Sequence, residues 1–495
     1  MKGHGIKTWM LLAAVAAVVL AGPAWAQEAA KPAEPGTSEA GCERQSLTAD
    51  GLEEWLAASK KPCDWLSLGA DARLREIFSP NLLLDQEDRH FQRYRFRVWS
   101  TITPCENLNL NTRLVWEPRH FCQPSRTAET RDGRYIDEWT GNEAIFDKMN
   151  IEAKKIGGMP VSVKVGRQDI ILGNGWLVLD GTPLDGSRTI FFDAARATVE
   201  LEEVKTKVDL IYINQHADSD WWIKPFCDKD FHNMEQDEQG AIVYVTNKSL
   251  DKTQLDGYFM WKHDERDIGD HPGDIRAGNL APWQAGTEGD IYLFGGRIAG
   301  DLGENWKYRA EFAQEFGRKD KRDLCAWGAN TRLEYHFNDK YKNNLRVAYE
   351  YLSGDDPSTP GKDEGFDPLW GRWPQFSELL AYTIALEKRP GEWSNLHRVG
   401  FGWTTHPTDK LEWCNDYHLL FADEPNAYGR RPIGGHDTFA DDCFRGQLFT
   451  SLLRYKFNKH IAGHLIAELF CPGDFYADYR DQTAGFFRYE LTFTW

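Results

Sequence analysis

The last residues of the chain alternate strictly, with Phe487, Tyr489, Leu491, Phe493 and Trp495 on one side and Arg488, Glu490, Thr492 and Thr494 on the other. Successive side chains of a strand point to opposite faces, so this segment is a strand with one apolar face and one polar face. A chain that ends on an aromatic residue in this pattern matches the closing strand of an outer-membrane barrel, with lipid against the apolar face and a watery lumen against the polar one.

The first residues agree about the compartment. Lys2 and Lys7 precede an apolar stretch from Trp9 to Leu20, and Ala24-Trp25-Ala26 offers a small-x-small cleavage site before Gln27. This is the pattern of a secretory signal peptide over residues 1–26. A lipid-anchor reading at Ala40-Gly41-Cys42 fails because Glu39 sits where an apolar residue is needed. No later run reaches the roughly 18 apolar residues of a membrane helix. A length of 495 would suit two or three soluble domains, yet no long linker divides the mature chain. Composition favours one large barrel: the chain is 13% aromatic with 20 Trp while its mean hydropathy is −0.58. Only alternate strand residues face lipid, so lumen and loop residues dilute the apolar ones while aromatic girdles raise Trp and Tyr.

Residues 27–64 read as a periplasmic leader, rich in Ala, Pro, Glu, Gly and Ser, with a short helix expected over Leu47–Ser59 capped by Thr48 or Asp50. Period two then runs to the C-terminus and defines a barrel over 65–495. In Arg93-Tyr-Arg-Phe-Arg-Val98 the three arginines face away from Tyr94, Phe96 and Val98. Leu108 to Trp116, Val161 to Val165, Trp306 to Phe312, Trp327 to Phe337 and Leu345 to Tyr351 repeat the pattern. So do Val399 to Trp403, Leu411 to Phe421 and Phe449 to Phe457. The expected fold is all-β, a transmembrane antiparallel barrel of about 18 strands with 16 as the neighbouring even number. Links such as 157–160, 338–340 and 408–410 read as short periplasmic turns, and 217–240, 263–289, 353–377 and 422–446 as long polar external loops. Trp221, Trp222, Trp370 and Trp373, at loop edges, read as interfacial girdle residues.

Nine cysteines (Cys42, Cys63, Cys105, Cys122, Cys227, Cys325, Cys414, Cys443 and Cys471) remain after cleavage, in a compartment that permits disulfides. Local loop staples are expected. None shows the Cys-x-x-Cys and His spacing of a structural zinc site, and no cofactor or metal is expected.

Two stretches carry a resemblance. Gly166-Arg-Gln-Asp169 leads through Gly173-Asn-Gly-Trp176 to Asp185-Gly-Ser-Arg188 and Phe192-Asp193. Further on, Tyr351-Leu-Ser-Gly-Asp-Asp356 is followed by Phe366-Asp-Pro-Leu-Trp370. Together they resemble the alginate export porin family, from about residue 65 to Trp495. The resemblance implies an 18-stranded outer-membrane barrel whose basic lumen passes an anionic polysaccharide, in a Gram-negative-type bacterium. The fold transfers more safely than the cargo. The Gly173–Gly186 stretch is expected either to fold inward as a constriction or to cap a strand end.

A conduit for polyuronate must attract carboxylates without holding them, and the planar guanidinium suits that task. The inward-facing cations expected to line the pore are Arg75, Arg93, Arg95, Arg97, Arg113, Lys164, Arg196, Arg309, Arg332, Arg346 and Arg488, with Arg73 and Lys307 beside them; Arg167 and Arg188 join through the motifs. The same arginines could instead form ladders with Glu311, Glu334, Glu350 and Glu490 across neighbouring strands. Arg93, Arg95 and Arg97 stand out, because three cations on one strand face repel unless an anion lies opposite.

The expected function is passive, anion-favouring passage of solutes, with a general or small-anion porin and a structural or adhesive barrel as alternatives. Partners would be an anionic polysaccharide or oligosaccharide, outer-membrane lipid and the barrel-insertion machinery. Catalysis is not expected, since neither a Gly-x-Ser-x-Gly elbow nor a His-Glu-x-x-His string occurs. The net charge of −18 and the export compartment oppose nucleic-acid binding.

Overall fold

Alternation of β-branched and aromatic residues with polar ones gives each strand one face for lipid and one for the lumen, and eighteen such strands close on themselves. The computed structural model describes residues 49–123, 139–141, 143–179, 191–216, 223–227, 236–265, 287–383, 387, 393–433 and 435–495. The signal peptide, Cys42, Trp221, Trp222 and Arg188 lie outside the described residues.

The strands are β1 (Leu66–Ser79), β2 (Arg89–Cys105), β3 (Leu108–Trp116), β4 (Glu143–Ala153), β5 (Val161–Gln168), β6 (Phe192–Leu201), β7 (Thr206–Gln215), β8 (Asp237–Asn247) and β9 (Thr253–Glu265). They continue as β10 (Gly289–Leu302), β11 (Trp306–Lys319), β12 (Arg322–His336), β13 (Asn344–Leu352), β14 (Leu396–Thr408), β15 (Leu411–Phe421), β16 (Phe444–Lys456), β17 (Ile461–Pro472) and β18 (Ala484–Thr494). Each pairs antiparallel with its successor, and β1 pairs with β18 in the register Asp71↔Thr494 to Phe78↔Phe487, which closes the barrel. Closure removes every open sheet edge, as a lipid-embedded sheet requires. Four shorter strands, Arg119–Gln123, Trp139–Thr140, Phe226–Cys227 and Lys362–Asp363, extend the sheet where the long connections leave it.

The C-terminal strand has the faces its sequence dictates. Phe487, Tyr489 and Phe493 are 38%, 49% and 38% exposed, whereas Arg488 and Glu490 are buried toward the interior. The outward row continues round the barrel through Leu210, Phe259, Phe294, Phe312, Trp327, Leu345, Phe401, Trp413 and Phe449. Short turns and the C-terminus share one end; the other carries the long connections and one tight hairpin, Asp320-Lys321, whose two positive φ values match the right-handed twist of β11 and β12. Helix α1 (Ala49–Lys60) lies at the short-turn end, where Glu53 pairs with Lys459 and approaches His460. Residue 48, the expected cap Thr48, lies outside the described residues.

The hydrophobic core sits inside the barrel and is built largely from loops. Ile170, Leu172, Trp176, Leu177 and Val178 from the connection after β5 pack with Phe366, Leu369, Trp370, Leu379 and Trp393 from the connection after β13. Inward-facing Ile213, Ile242, Ile291, Leu293 and Leu324, all in the half of the strands nearer the long connections, complete the cluster. This corrects two expectations. The stretch 353–377 is a solvated loop only around residues 357–362, while 363–377 folds into the lumen; and Trp370 is not a girdle residue: its ring is fully buried in the lumen. The aromatic run Phe366 to Trp370 has more apolar surface to bury than a solvated loop would, and the apolar inner wall provides the place.

Local disulfide staples are likewise not formed by Cys63, Cys105, Cys325, Cys414, Cys443 or Cys471. Several of these point in opposed directions on separate strands: Cys325 on β12 and Cys471 on β17 are exposed, while Cys414 on β15 lines the lumen.

Candidate functional site in the lumen

Two inward-folded connections set the geometry. In the first, Gly166-Arg-Gln-Asp169 launches the chain from the end of β5. Arg167 donates to both carboxylate oxygens of Asp193 (2.9 and 2.8 Å) and to the Phe146 carbonyl (2.9 Å), and its guanidinium stacks on Phe191 at 3.9 Å. Asp169 accepts from Arg113 (2.8 and 3.1 Å) and pairs with Lys148 at 2.6 Å. Burial raises the Asp169 carboxyl, but Arg113 and Lys148 outweigh it and hold it below the usual range. Of the two expected placements for the glycine-rich stretch, its described part takes the inward one.

The second connection follows β13 and docks on the first. Trp370 N donates to Leu177 O (3.0 Å), Val178 bridges Trp370, and the Trp176 and Phe366 rings stack at 5.6 Å. A Cβ on Gly371 would be driven into the carbonyl oxygen of Trp176, so glycine is what permits this approach. The two segments of family-like sequence are thus one structural unit.

Wall carboxylates tether that unit. Asp367 pairs with Lys319 and its N–H donates to Glu315 (2.9 Å); Glu238 receives Trp370 Nε1 (3.2 Å) and pairs with Arg372 and Lys262. The short helix α2 (Glu378–Thr383) is capped from across the lumen, because Glu468 on β17 accepts from Ser377 Oγ (2.7 Å), Glu378 N (3.0 Å) and Leu379 N (2.7 Å). Ser377 Oγ adds a local cap by accepting from Leu380 N (3.0 Å), so the first N–H groups of the helix are satisfied from both sources.

Beneath the tethered loops, nearer the short turns, lies a cavity of about 480 Å³. Trp176, Trp373, Phe376 and Trp393 contribute its aromatic surface, and Arg309, Arg332, Arg346, Arg398 and Arg454 reach it from β11, β12, β13, β14 and β16. Most cavity carboxylates are already engaged. Glu350 accepts from Trp176 Nε1 (3.0 Å), Asn330 Nδ2 (2.9 Å) and Arg398 Nε (3.0 Å); Asp416 accepts from Arg346 Nε (2.8 Å), and Glu412 pairs with Arg454.

Arg309 and Arg332 differ. They are directly opposite in the β11–β12 register, an arrangement of like charges that costs free energy. Arg332 has one ion pair, with Glu334 at 2.6 Å, and Arg309 has none among the described residues. The Arg332 contact to Glu334 is made through its Nε, whereas Arg309 Nε lacks a hydrogen-bond partner there, as do Trp373 Nε1, His406 Nδ1 and His418 Nε2 on the same cavity wall. Buried polar groups are nearly always satisfied in native proteins, so these unmatched nitrogens, with Arg309 Nε and Trp373 Nε1 as donors among them, mark a place where solvent or a ligand belongs.

The other expected pore residues fall into ladders. Arg73 faces Arg95 and Arg75 faces Arg93 across β1 and β2, with carboxylates between them. Glu117 takes Arg73 at 3.3 Å and Arg93 Nε at 3.1 Å, Asp71 takes Arg95 at 3.4 Å and Arg97 Nε at 2.8 Å, and Glu490 takes Arg75. Arg73, Arg75, Arg93 and Arg95 are each less than a tenth exposed. Arg113 pairs with Asp147 and Asp169, Lys164 with Glu152 (3.1 Å), Arg196 with Asp209 (2.9 Å), and Arg488 with Glu378 (3.1 Å). Lys307 lies exposed beside Asp301 at 4.0 Å. Arg398 and Arg454, which the sequence reading omitted, were accessible to it: each alternates with outward residues it had already identified, Val399, Leu453 and Tyr455.

The profile of the alginate export family matches residues 64–489. Among solved structures, the crystal structure of Pseudomonas aeruginosa OccK7 (OpdD) aligns with a TM-score of 0.51 and 9% identity, covering 88% of this chain and 99% of that one. That of Pseudomonas aeruginosa OccK3 (OpdO) aligns with a TM-score of 0.50 and 10% identity, over 86% and 95%. At such identities these structures share the barrel fold. No curated protein sequence matches this chain significantly.

Proposed function

The chain belongs to the alginate export family of outer-membrane barrels, and on that premise we propose that it is a passive channel whose lumen favours anions and passes an acidic oligosaccharide or polysaccharide. The observation that carries this reading is the opposed pair Arg309 and Arg332, two cavity-facing guanidiniums of which Arg332 has its Nε on Glu334 and Arg309 has an Nε donor that no described residue takes up. A uronate carboxylate accepts two parallel N–H bonds from such a fork, and the half-buried Trp373 offers a flat surface for a sugar ring. Glu350, Asp416 and Glu412 are engaged by Arg398, Arg346 and Arg454, which leaves Arg309 as a lining arginine without an ion pair among the described residues. Arg93 and Arg95 enter this reading as supports of the wall, since they are buried against fixed carboxylates.

A small-anion diffusion porin is the second reading, favoured by the inward loops that leave a cavity of only about 480 Å³. Single-channel recording of the full-length barrel with oligouronate added to one side separates the two. We expect the oligouronate to interrupt the current, a neutral oligosaccharide of equal length to do so far less, and Arg309→Gln with Arg332→Gln to weaken the interruption on the order of tenfold, the loss of one good charge-assisted contact of about 1.4 kcal/mol. Anion-selective current indifferent to oligouronate would establish the small-anion reading.

A further inference from the structure

On the outward face near the long-connection end, the apolar row of β1 and β2 is interrupted. Phe78 and Tyr94 bracket a polar group made of Glu76 on β1, His90 and Gln92 on β2, and His120 and Cys122 on the short strand Arg119–Gln123. A carboxylate, an imidazole and a thiol are costly on the wall of a barrel unless they are partnered. Glu76 and His90 are in direct hydrogen-bond contact, and Gln92 Nε2 donates to the other oxygen of Glu76 at 2.8 Å. Those bonds join Glu76 and His90, and the Cys122 thiol stands beside them, in contact with His120.

Cys122 is there because of a bulge. His90 pairs with Gln123 and Phe91 with Phe121, so Cys122 is the extra residue of the edge strand. A bulge re-aims a side chain at the cost of a ladder bond and is common beside functional sites. The re-aimed Sγ, the Glu76 carboxylate and a ring nitrogen of His90 all lie within 4.8 Å of one another, and His120 Nδ1 stands 3.5 Å from the sulfur.

We propose that Glu76, His90 and Cys122 form a transition-metal site of the zinc class on the outer rim of the barrel. One carboxylate oxygen, one imidazole nitrogen and one thiolate sulfur are ligands that zinc accepts tetrahedrally, whereas calcium and magnesium require oxygen shells. Three protein ligands leave the fourth position to water, and the side chains of Glu76 and His90, 22% and 34% exposed, leave a path for it. On binding, Cys122 gives up its Sγ–H proton to solvent, and the Glu76 to His90 hydrogen bond is replaced by one bond from each residue to the metal. The site staples the edge strand Arg119–Gln123 to the barrel wall and owes nothing to the lumen.

Cobalt(II) is the probe, because thiolate-to-cobalt charge transfer reports coordination by sulfur directly. Full-length barrel in detergent, titrated with cobalt, is expected to develop a charge-transfer band saturating at one equivalent and displaced by zinc. Cys122→Ser is expected to abolish it, and His90→Ala to weaken cobalt affinity by on the order of tenfold or more, with heat-modifiable mobility confirming that each variant is folded. A folded wild-type barrel without the band, or a band that persists in Cys122→Ser, would overturn the site.

Discussion

At the residue scale, the same side chain serves two purposes depending on what faces it. Arg93 and Arg309 both point inward at positions fixed by strand alternation, yet Arg93 is buried against Glu117 and Arg309 is not paired among the described residues. Burial alone would raise the Glu117 carboxyl, but Arg93, Arg73 and Arg119 more than offset it and hold it at about 2, against an ordinary value of 4.5. Because the folded value is depressed, Glu117 contributes stability that is complete above about pH 4.5 and is lost as pH falls toward 2. Thermal unfolding of the barrel should therefore decline across that window. Glu117→Gln should flatten the decline and cost about 3–5 kcal/mol near neutrality, because it leaves Arg73 and Arg93 buried without their shared anion. A stability unchanged by Glu117→Gln would mean that the ladder does not hold this part of the wall. Replacing Arg93, Arg95 and Arg97 with Glu would test the ladder in the same way, and for that reason is a poor test of the conduction path.

At the scale of elements, the connections after β5 and β13 act as one inward unit, and Gly371 is where they touch. Gly371→Ala should part Trp370 from Leu177 and loosen the unit, raising single-channel conductance or its flicker; recordings indistinguishable from wild type would show that the contact does not restrict the lumen. The strands themselves were legible in the sequence. Period two is a local property, and a one-residue slip would turn Phe487, Tyr489 and Phe493 into the lumen, so each strand declares its own faces. The inward loops were not legible, because their burial depends on a partner some 190 residues away: nothing local to Phe366-Asp-Pro-Leu-Trp370 says that Trp176 and Glu238 will receive it. The choice between a pore lining and a ladder was hidden for the same reason. Alternation gives the face of Arg75 and Arg332 alike, but only the register across strands places Glu490 on the first and Arg309 opposite the second.

At the scale of the molecule, a chain of net charge −18 encloses a cavity whose least-neutralised side chains are cationic. The loops fill the upper lumen with a hydrophobic core, and the arginines of β11 to β16 line what remains below, so in the proposed channel a solute would meet a field set by a few groups within low-dielectric walls. Reversal potential across a planar bilayer, measured in a potassium chloride gradient for the wild-type barrel and for Arg309→Glu with Arg332→Glu, tests this most directly. The wild type should reverse on the chloride side of zero, and the double variant, still folded and inserted, should shift toward cation selectivity. A wild-type channel selective for potassium, or a variant with unaltered reversal potential, would contradict an anion-favouring lumen governed by these two arginines.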